Sequence, residues 1–357
     1  MTVRIAKQPV NIREKLSELE RPIGLKGSEL MRSETAQEAR ELVGAGRKNL
    51  IINGDMEVAQ RGTSVTGKTD SAAYLTVDRF ANHSSGATYD SSQEEVTNGG
   101  MSGLPIKFKK YFKFSVTTGA NNAGIWQTIE NVRTVQGEHT FSFYARGVNP
   151  AGGVLEVDSR QWFNGSAEVD TLLGTFRLTD TWQRFTFTFT PPSLSGKTIG
   201  SNSYYRLFIR QPNADNSTNA WHIDTTGWQL EVGKNATEFE HRSYGEELAL
   251  CQRYYYEYPK GNTYNIIANG LANTTTNALF HFQYPVPMRS APVVATSGNW
   301  QVIDGQSHNV SGFSAITAAT QLTGRVDVTT SGLTEGRACM LRNNNDATAR
   351  FGFNAEL

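Results

Sequence analysis

Two tryptophans in polar surroundings are the residues of this chain best suited to hold a ligand. Trp162 lies in Arg160-Gln-Trp-Phe-Asn-Gly, and Trp300 directly follows Gly298-Asn299. An indole face stacks on the apolar face of a sugar ring while neighbouring polar groups bond its hydroxyls, so both are candidate ligand-binding positions. Packing in a core or between copies of the chain is the competing role for each. Trp126, Trp182, Trp221 and Trp228 stand in strand-like alternation and are assigned to cores.

Catalytic chemistry finds no support. The six histidines, His83, His139, His222, His241, His281 and His308, are scattered singly, without the spacing that puts metal ligands on one helix face. No G-x-S-x-G elbow is present, and Gly44-Ala-Gly46 does not follow a strand, so neither a hydrolase nucleophile nor a nucleotide loop is indicated. A glycan hydrolase needs two carboxylates facing each other across a bond. Glu94-Glu95 are adjacent, so a strand sends them to opposite faces, and Glu246-Glu247 suit the first turn of a helix. No catalytic residue is assigned, and the chain is expected not to be an enzyme.

Bulk properties narrow the partners. Lys+Arg and Asp+Glu are equal at 34 each, which argues against a basic nucleic-acid groove. No run of about 18 apolar residues exists to insert in a membrane, and no signal peptide is visible after Met1. Cys251 and Cys339 stand far apart and read as free buried thiols of a protein made in a reducing cytosol.

Three segments must position these residues. Residues 1–48 contain no aromatic side chain, and Ile12, Leu16, Leu19 and Ile23 fall on one face of a helix or short coiled-coil seam that Pro22 should end. Thr35 and Glu38 form a capping box for a second short helix, stopped by Gly44 and Gly46. So narrow a stripe cannot fold alone and must pack on copies of itself or on a partner. Residues 49–242 read as short antiparallel strands. Phe141, Phe143 and Ala145 alternate with polar residues, as do Phe185, Phe187 and Phe189 with threonines. Residues 243–357 open with a helix capped by Ser243 and Glu246, carrying Leu248, Cys251, Gln252 and Tyr255 at helical spacing. They then return to strands such as Leu279-Phe-His-Phe-Gln-Tyr and Gly324-Arg-Val-Asp-Val-Thr. The tyrosine cluster Tyr254, Tyr255, Tyr256 and Tyr258 is expected at an inter-subunit or inter-domain contact. The fold class is mainly β: a jelly-roll sandwich, a helical joint and a smaller C-terminal β-domain, behind a short helical N-terminal segment.

Several phrases together resemble bacteriophage tail-fibre and virion-fibre proteins. They are Asn49-Leu-Ile-Ile-Asn-Gly, Gln60-Arg-Gly-Thr, Tyr74-Leu-Thr-Val-Asp-Arg-Phe, Trp228-Gln-Leu-Glu-Val-Gly, Glu247-Leu-Ala-Leu-Cys-Gln-Arg-Tyr-Tyr and Pro285-Val-Pro-Met-Arg. Lys26-Gly-Ser-Glu-Leu-Met-Arg is similar to the pre-fibre segment of marine and cyanobacterial phage proteins, so the likeness runs from about residue 20 to about residue 290. The last sixty residues or so carry no matching phrase. The resemblance implies a homotrimer in the virion, made in the bacterial cytoplasm. Its N-terminal segment would dock to a tail or other virion protein, and its β-domains would meet a host-surface glycan or other receptor. A capsid fibre or decoration protein, and a virion-associated glycan hydrolase, are the alternatives. The middle segment also resembles jelly-roll carbohydrate-binding modules, with Met56 in place of a phenylalanine and an extra Thr-Thr-Gly before the last strand motif. In that family carboxylates near these strands can hold a structural calcium, which makes Asp55, Glu57 and Asp224 the candidate ligands. No other cofactor is implied.

Overall fold

Alternation along the strands decides which side chains are sealed between layers and which face outward. Phe112, Phe114, Phe141 and Phe143 are completely buried, while their neighbours Tyr111, Lys113 and Tyr144 take the opposite side of the sheet. The computed structural model describes residues 48–357, apart from 98–101, 106, 119–121, 152 and 213–219. The seam of Ile12, Leu16, Leu19 and Ile23 and the Thr35–Glu38 capping box lie outside the described residues. Residues 51–357 form one compact unit, distinct from residues 1–50.

The described residues of that unit build four antiparallel sheets, with strands numbered here in chain order. The first runs β1 (Ser64–Lys68), β3 (Thr88–Glu95), β4 (Lys110–Thr118), β11 (Trp221–Val232), β6 (His139–Val148), β9 (Gln183–Phe189). The second runs β2 (Phe80–Ser84), β5 (Ala123–Glu130), β10 (Tyr204–Arg210), β7 (Leu155–Trp162), β8 (Val169–Phe176). Together they make a jelly-roll sandwich closed by aromatic contacts between the sheets. Phe80 meets Trp228 edge-on at 5.0 Å, Phe176 meets Phe185 at 4.6 Å, and Phe189 stacks with Tyr205 at 6.3 Å. Trp228 is wholly buried, so its loss to alanine would cost about 3–5 kcal/mol.

The extra Thr-Thr-Gly before the last strand motif is a β-bulge. The ladder between β11 and β6 shifts register between Thr226 and Gln229, and Gly227 sits there at φ 65°. A side chain at 227 would meet the Phe108 and Tyr144 rings at 2.7 and 2.9 Å.

The helix α1 (Tyr244–Gln252) follows, with the Ser243 hydroxyl accepting from the Glu246 amide. It ends earlier than its spacing suggested. Tyr255 leaves the helix and opens β12 (Tyr255–Glu257), because its backbone pairs with Asn354. The third sheet is β12, β21 (Arg350–Asn354), β15 (Val293–Ser297). The fourth runs β17 (Ser307–Asn309), β16 (Trp300–Ile303), β20 (Ala338–Asn343), β13 (Ile266–Thr274), β14 (Asn277–Gln283), β19 (Thr323–Thr329), β18 (Gly312–Phe313). Phe280, Phe282, Trp300, Val326, Leu341, Phe351 and Phe353 form their shared core. Cys251 and Cys339 are free and buried, and burial pushes both thiols up in pKa.

A polar network fastens the sandwich to the joint. Asn53, at φ 59°, donates to the carbonyls of Val58 and Asp78, and its own amide donates to Glu247 of α1. Gln60 bonds both the Asp78 carboxylate and the Tyr255 carbonyl. Arg61 lies 3.6 Å over Tyr255, and Arg79 lies 3.4 Å over Tyr254, with both guanidiniums paired to Glu356. Tyr254 and Tyr255 therefore sit between the sandwich and the C-terminal sheets, while Tyr258 packs on Phe282 and Phe351 in the C-terminal core.

Candidate functional site

The second sheet turns an unusual set of side chains outward. In β10 the inward phase is Tyr205, Leu207 and Ile209, all buried, so the same pleat points Tyr204, Arg206, Phe208 and Arg210 away from the core. The ladders set Trp162, Arg160, Asp158 and Glu156 of β7 beside these four in order, and Glu130, Thr128, Trp126 and Gly124 of β5 on their other flank. Ala81 and His83 of β2 extend the row beyond β5, and Asp170 and Leu172 of β8 extend it beyond β7. Backbone register alone thus gathers aromatic rings, arginines and carboxylates on one face.

Trp162 is 36 % exposed and stacks nearly parallel to Tyr204, with ring centres 6.0 Å apart and planes inclined by 14°. The Arg206 guanidinium lies beside this pair, 4.5 Å from the Tyr204 ring centre and 4.6 Å from that of Trp126. Trp126 in turn packs against Phe208 at 5.5 Å and His83 at 5.3 Å. Burial, with Arg210, Arg206 and Arg160 nearby, pushes the His83 pKa down. Arg160 grips Asp170 through two bonds of 2.7 and 2.8 Å and reaches Glu168 at 3.0 Å. Arg210 holds Asp158 at 2.7 Å. Burial and the neighbouring Asp158 push Glu156 up.

A near-parallel aromatic pair with one ring exposed and the other half-buried, beside fixed donors and acceptors, is suited to a flat ligand with one apolar face and a polar rim. The ion pairs beside it hold their side chains in place before any ligand arrives, which lowers the ordering cost of binding.

Of the two sequence-selected tryptophans, Trp162 belongs to this face, although it ends a strand and is not in a turn. Trp300 is elsewhere and mostly buried. It is 6 % exposed, its indole donates to the Ser297 carbonyl, and its ring packs on Phe313 and Phe351. One side of it lines a concavity of about 350 Å³ with Asn299, Asn309, Ser311 and Asn344, a wall without charged side chains. A smaller concavity of about 240 Å³ opens on the first sheet between Glu94, Glu95, Tyr111, Arg146 and Trp182. Glu95 pairs with Lys110, and Glu94 accepts from Ser92.

The three carboxylates selected for calcium do not fit such a site. Asp55 is buried beside Glu247 and Glu57, and burial followed by those two charges pushes its carboxyl up to about 7. Glu57 is half-buried and also pushed up by burial. Asp224 stands on the outer side of the first sheet, between Lys113 and Arg146 in the ladders, and accepts from Arg146 at 3.0 Å. Its charge is already matched, and among the described residues no group of three His, Cys, Asp or Glu could hold a metal ion.

Sequence reading missed Tyr204, Arg206, Phe208 and Arg160, and placed Trp126 in the core. Trp126 is buried, yet it is covered from the outer side of its sheet by Arg206, Phe208 and His83. A signal was available in Tyr204-Tyr-Arg-Leu-Phe-Ile-Arg, where aromatic residues occupy both phases of one strand. A strand whose polar phase also carries rings has something to cover, or something to bind.

No family model and no curated protein matches this sequence. Similar solved structures include the family 11 carbohydrate-binding module of a Clostridium thermocellum cellulosomal cellulase. It is 13 % identical over 49 % of this chain and 99 % of that one, with a TM-score of 0.29. The module TmCBM61, solved with β-1,4-galactotriose, is 9 % identical over 52 % of this chain and all of that one, with a TM-score of 0.30. The enzymatically active domain of tailspike protein 4 from bacteriophage CBA120 is 14 % identical over 52 % of this chain but only 21 % of that one, with a TM-score of 0.33. Likenesses this distant carry no argument about ligands, and the jelly-roll assignment stands on the strand order itself.

Proposed function

We propose that this chain is a bacteriophage tail-fibre protein that binds a host-surface glycan on the outer face of its second sheet and does not cleave it. The single observation that carries the binding half is the near-parallel pair of exposed Trp162 and half-buried Tyr204, flanked by Arg160 and Arg206. The virion half is supported by the fibre-like phrases of the sequence. In this reading residues 1–48 dock to the particle and three copies associate. Three weak sites on one axis then bind a cell far more tightly than one, without new contacts.

The test is binding of the purified full-length chain to intact host cells, comparing wild type with Trp162→Ala while sugar release is followed. Saturable binding that drops at least about tenfold in the variant, with no sugar released, is the expected result. Released sugar would replace the adhesin with a hydrolase. Binding that ignores the substitution would move recognition off this face. Antibody labelling of virions then separates a tail location from a capsid one.

A further inference from the structure

We propose that the glycan held on this face is anionic, and that the Arg206 guanidinium receives a sugar carboxylate. This deepens the glycan-binding reading of the same face and rests on it.

Three arginines point outward from β10 and β7, and two of them are matched. Arg160 holds Asp170 and Glu168, and Arg210 holds Asp158. Arg206, directly opposite Arg160 in the ladder, donates from Nε to the Thr128 hydroxyl at 2.9 Å. Among the described residues no carboxylate lies within ion-pair distance of it. It is nonetheless half-buried between two rings, and burial pushes its pKa down against the opposing pull of Tyr204, Tyr74 and the more distant Glu168.

The aromatic neighbours offset only part of that cost. Tyr204 and Trp126 offer their π-clouds to the cation, but the N–H groups of a guanidinium lie in its own plane and need acceptors there. With Nε taken by Thr128, the two Nη groups remain, and a planar carboxylate can accept from both; Asp170 shows such paired bonding on neighbouring Arg160, there through Nε and Nη2. The position also suits a sugar. Tyr204 and Arg206 are two residues apart on one strand, about 7 Å, so a carboxyl on a ring stacked at Trp162, or on the next ring, reaches the guanidinium. Most acidic groups of the face are already held by arginines. Asp158 is paired with Arg210 and Glu130 with Arg253, Asp170 and Glu168 share Arg160, and Glu156 lies beside Arg210, away from Arg206 along β10.

The experiment is binding of the full chain to an array of neutral, uronate-bearing and sulfated oligosaccharides, with Trp162→Ala, Arg206→Gln and Arg206→Lys alongside. Thermal melting of each variant serves as the folding control. The expected result is selection of uronate-bearing sugars, lost at least about tenfold in Arg206→Gln and only partly restored by Arg206→Lys, which keeps the charge but not the fork. Neutral sugars bound through Trp162 and indifferent to Arg206 would overturn the anionic assignment and leave the glycan-binding face standing. Selection of sulfated sugars alone would overturn the carboxylate. An array on which nothing binds would remove the glycan reading together with this inference.

Discussion

The guanidinium of Arg79 lies 3.4 Å from the centre of the Tyr254 ring, is bonded to Glu356, and donates to the Thr128 carbonyl at 2.6 Å. Arg79 is 1 % exposed, so one buried cation joins β5, the segment after α1 and the residues that follow β21. Removing one partner of a buried ion pair is far more costly than removing an exposed one, because the remaining charge stays desolvated.

Glu356→Gln should therefore destabilise the chain by about 3 kcal/mol, since Arg79 and Arg61 both lose their shared carboxylate. Urea unfolding followed by tryptophan fluorescence measures it. A change below about 0.5 kcal/mol, the level of an ordinary surface substitution, would mean that the network is not closed by this residue.

Trp162→Ala should separate binding from stability. The side chain is partly exposed and at a strand end, so stability should change by less than about 1 kcal/mol while glycan binding falls at least about tenfold. Trp126→Ala is the counterpart, with a cost of about 3 kcal/mol for a buried ring. Equal destabilisation by the two substitutions would show that Trp162 is a packing residue.

Asp55 supplies a pH test. Burial raises its folded pKa to about 7, well above its unfolded value near 4. The folded state then binds more protons than the unfolded state between those pH values, so this group's contribution to stability falls as pH rises from about 4 to 7 and is level above. Histidines with lowered pKa values act in the opposite sense as pH falls below about 6.5. The clean measurement is thus a difference: Asp55→Asn should gain on wild type as pH rises from 4 to 7. A constant difference would exclude the shift.

Gly227→Ala should cost about 1–3 kcal/mol, because the bulge needs positive φ and the added carbon would strike the Phe108 ring. Thermal melting is sufficient to see it, and an unchanged midpoint would show that the bulge relaxes.

Chelation gives the last test. With Asp224 committed to Arg146 and apart from Asp55, EDTA should leave the thermal midpoint where it was. A fall that added calcium reverses would restore the ion.

Local chemistry made much of this molecule readable from its residues. Period-two alternation marks β6, β9, β14 and β19, and Ser243 with Glu246 marks the start of α1, because strand faces and helix caps are set by neighbours in sequence. The phrase Val77-Asp-Arg-Phe and the Gln60-Arg61 pair were visible as a pattern, but their work was not. They make the polar joint between the sandwich and the C-terminal sheets, which depends on partners up to about three hundred residues away. The candidate face on the second sheet was legible only at Trp162. Tyr204, Arg206 and Trp126 come together through ladder register between β5, β10 and β7, strands separated in sequence by β6 and by β8 and β9. Which arginine keeps a carboxylate and which goes without is a matter of angstroms across that sheet, and only the tertiary structure could decide it.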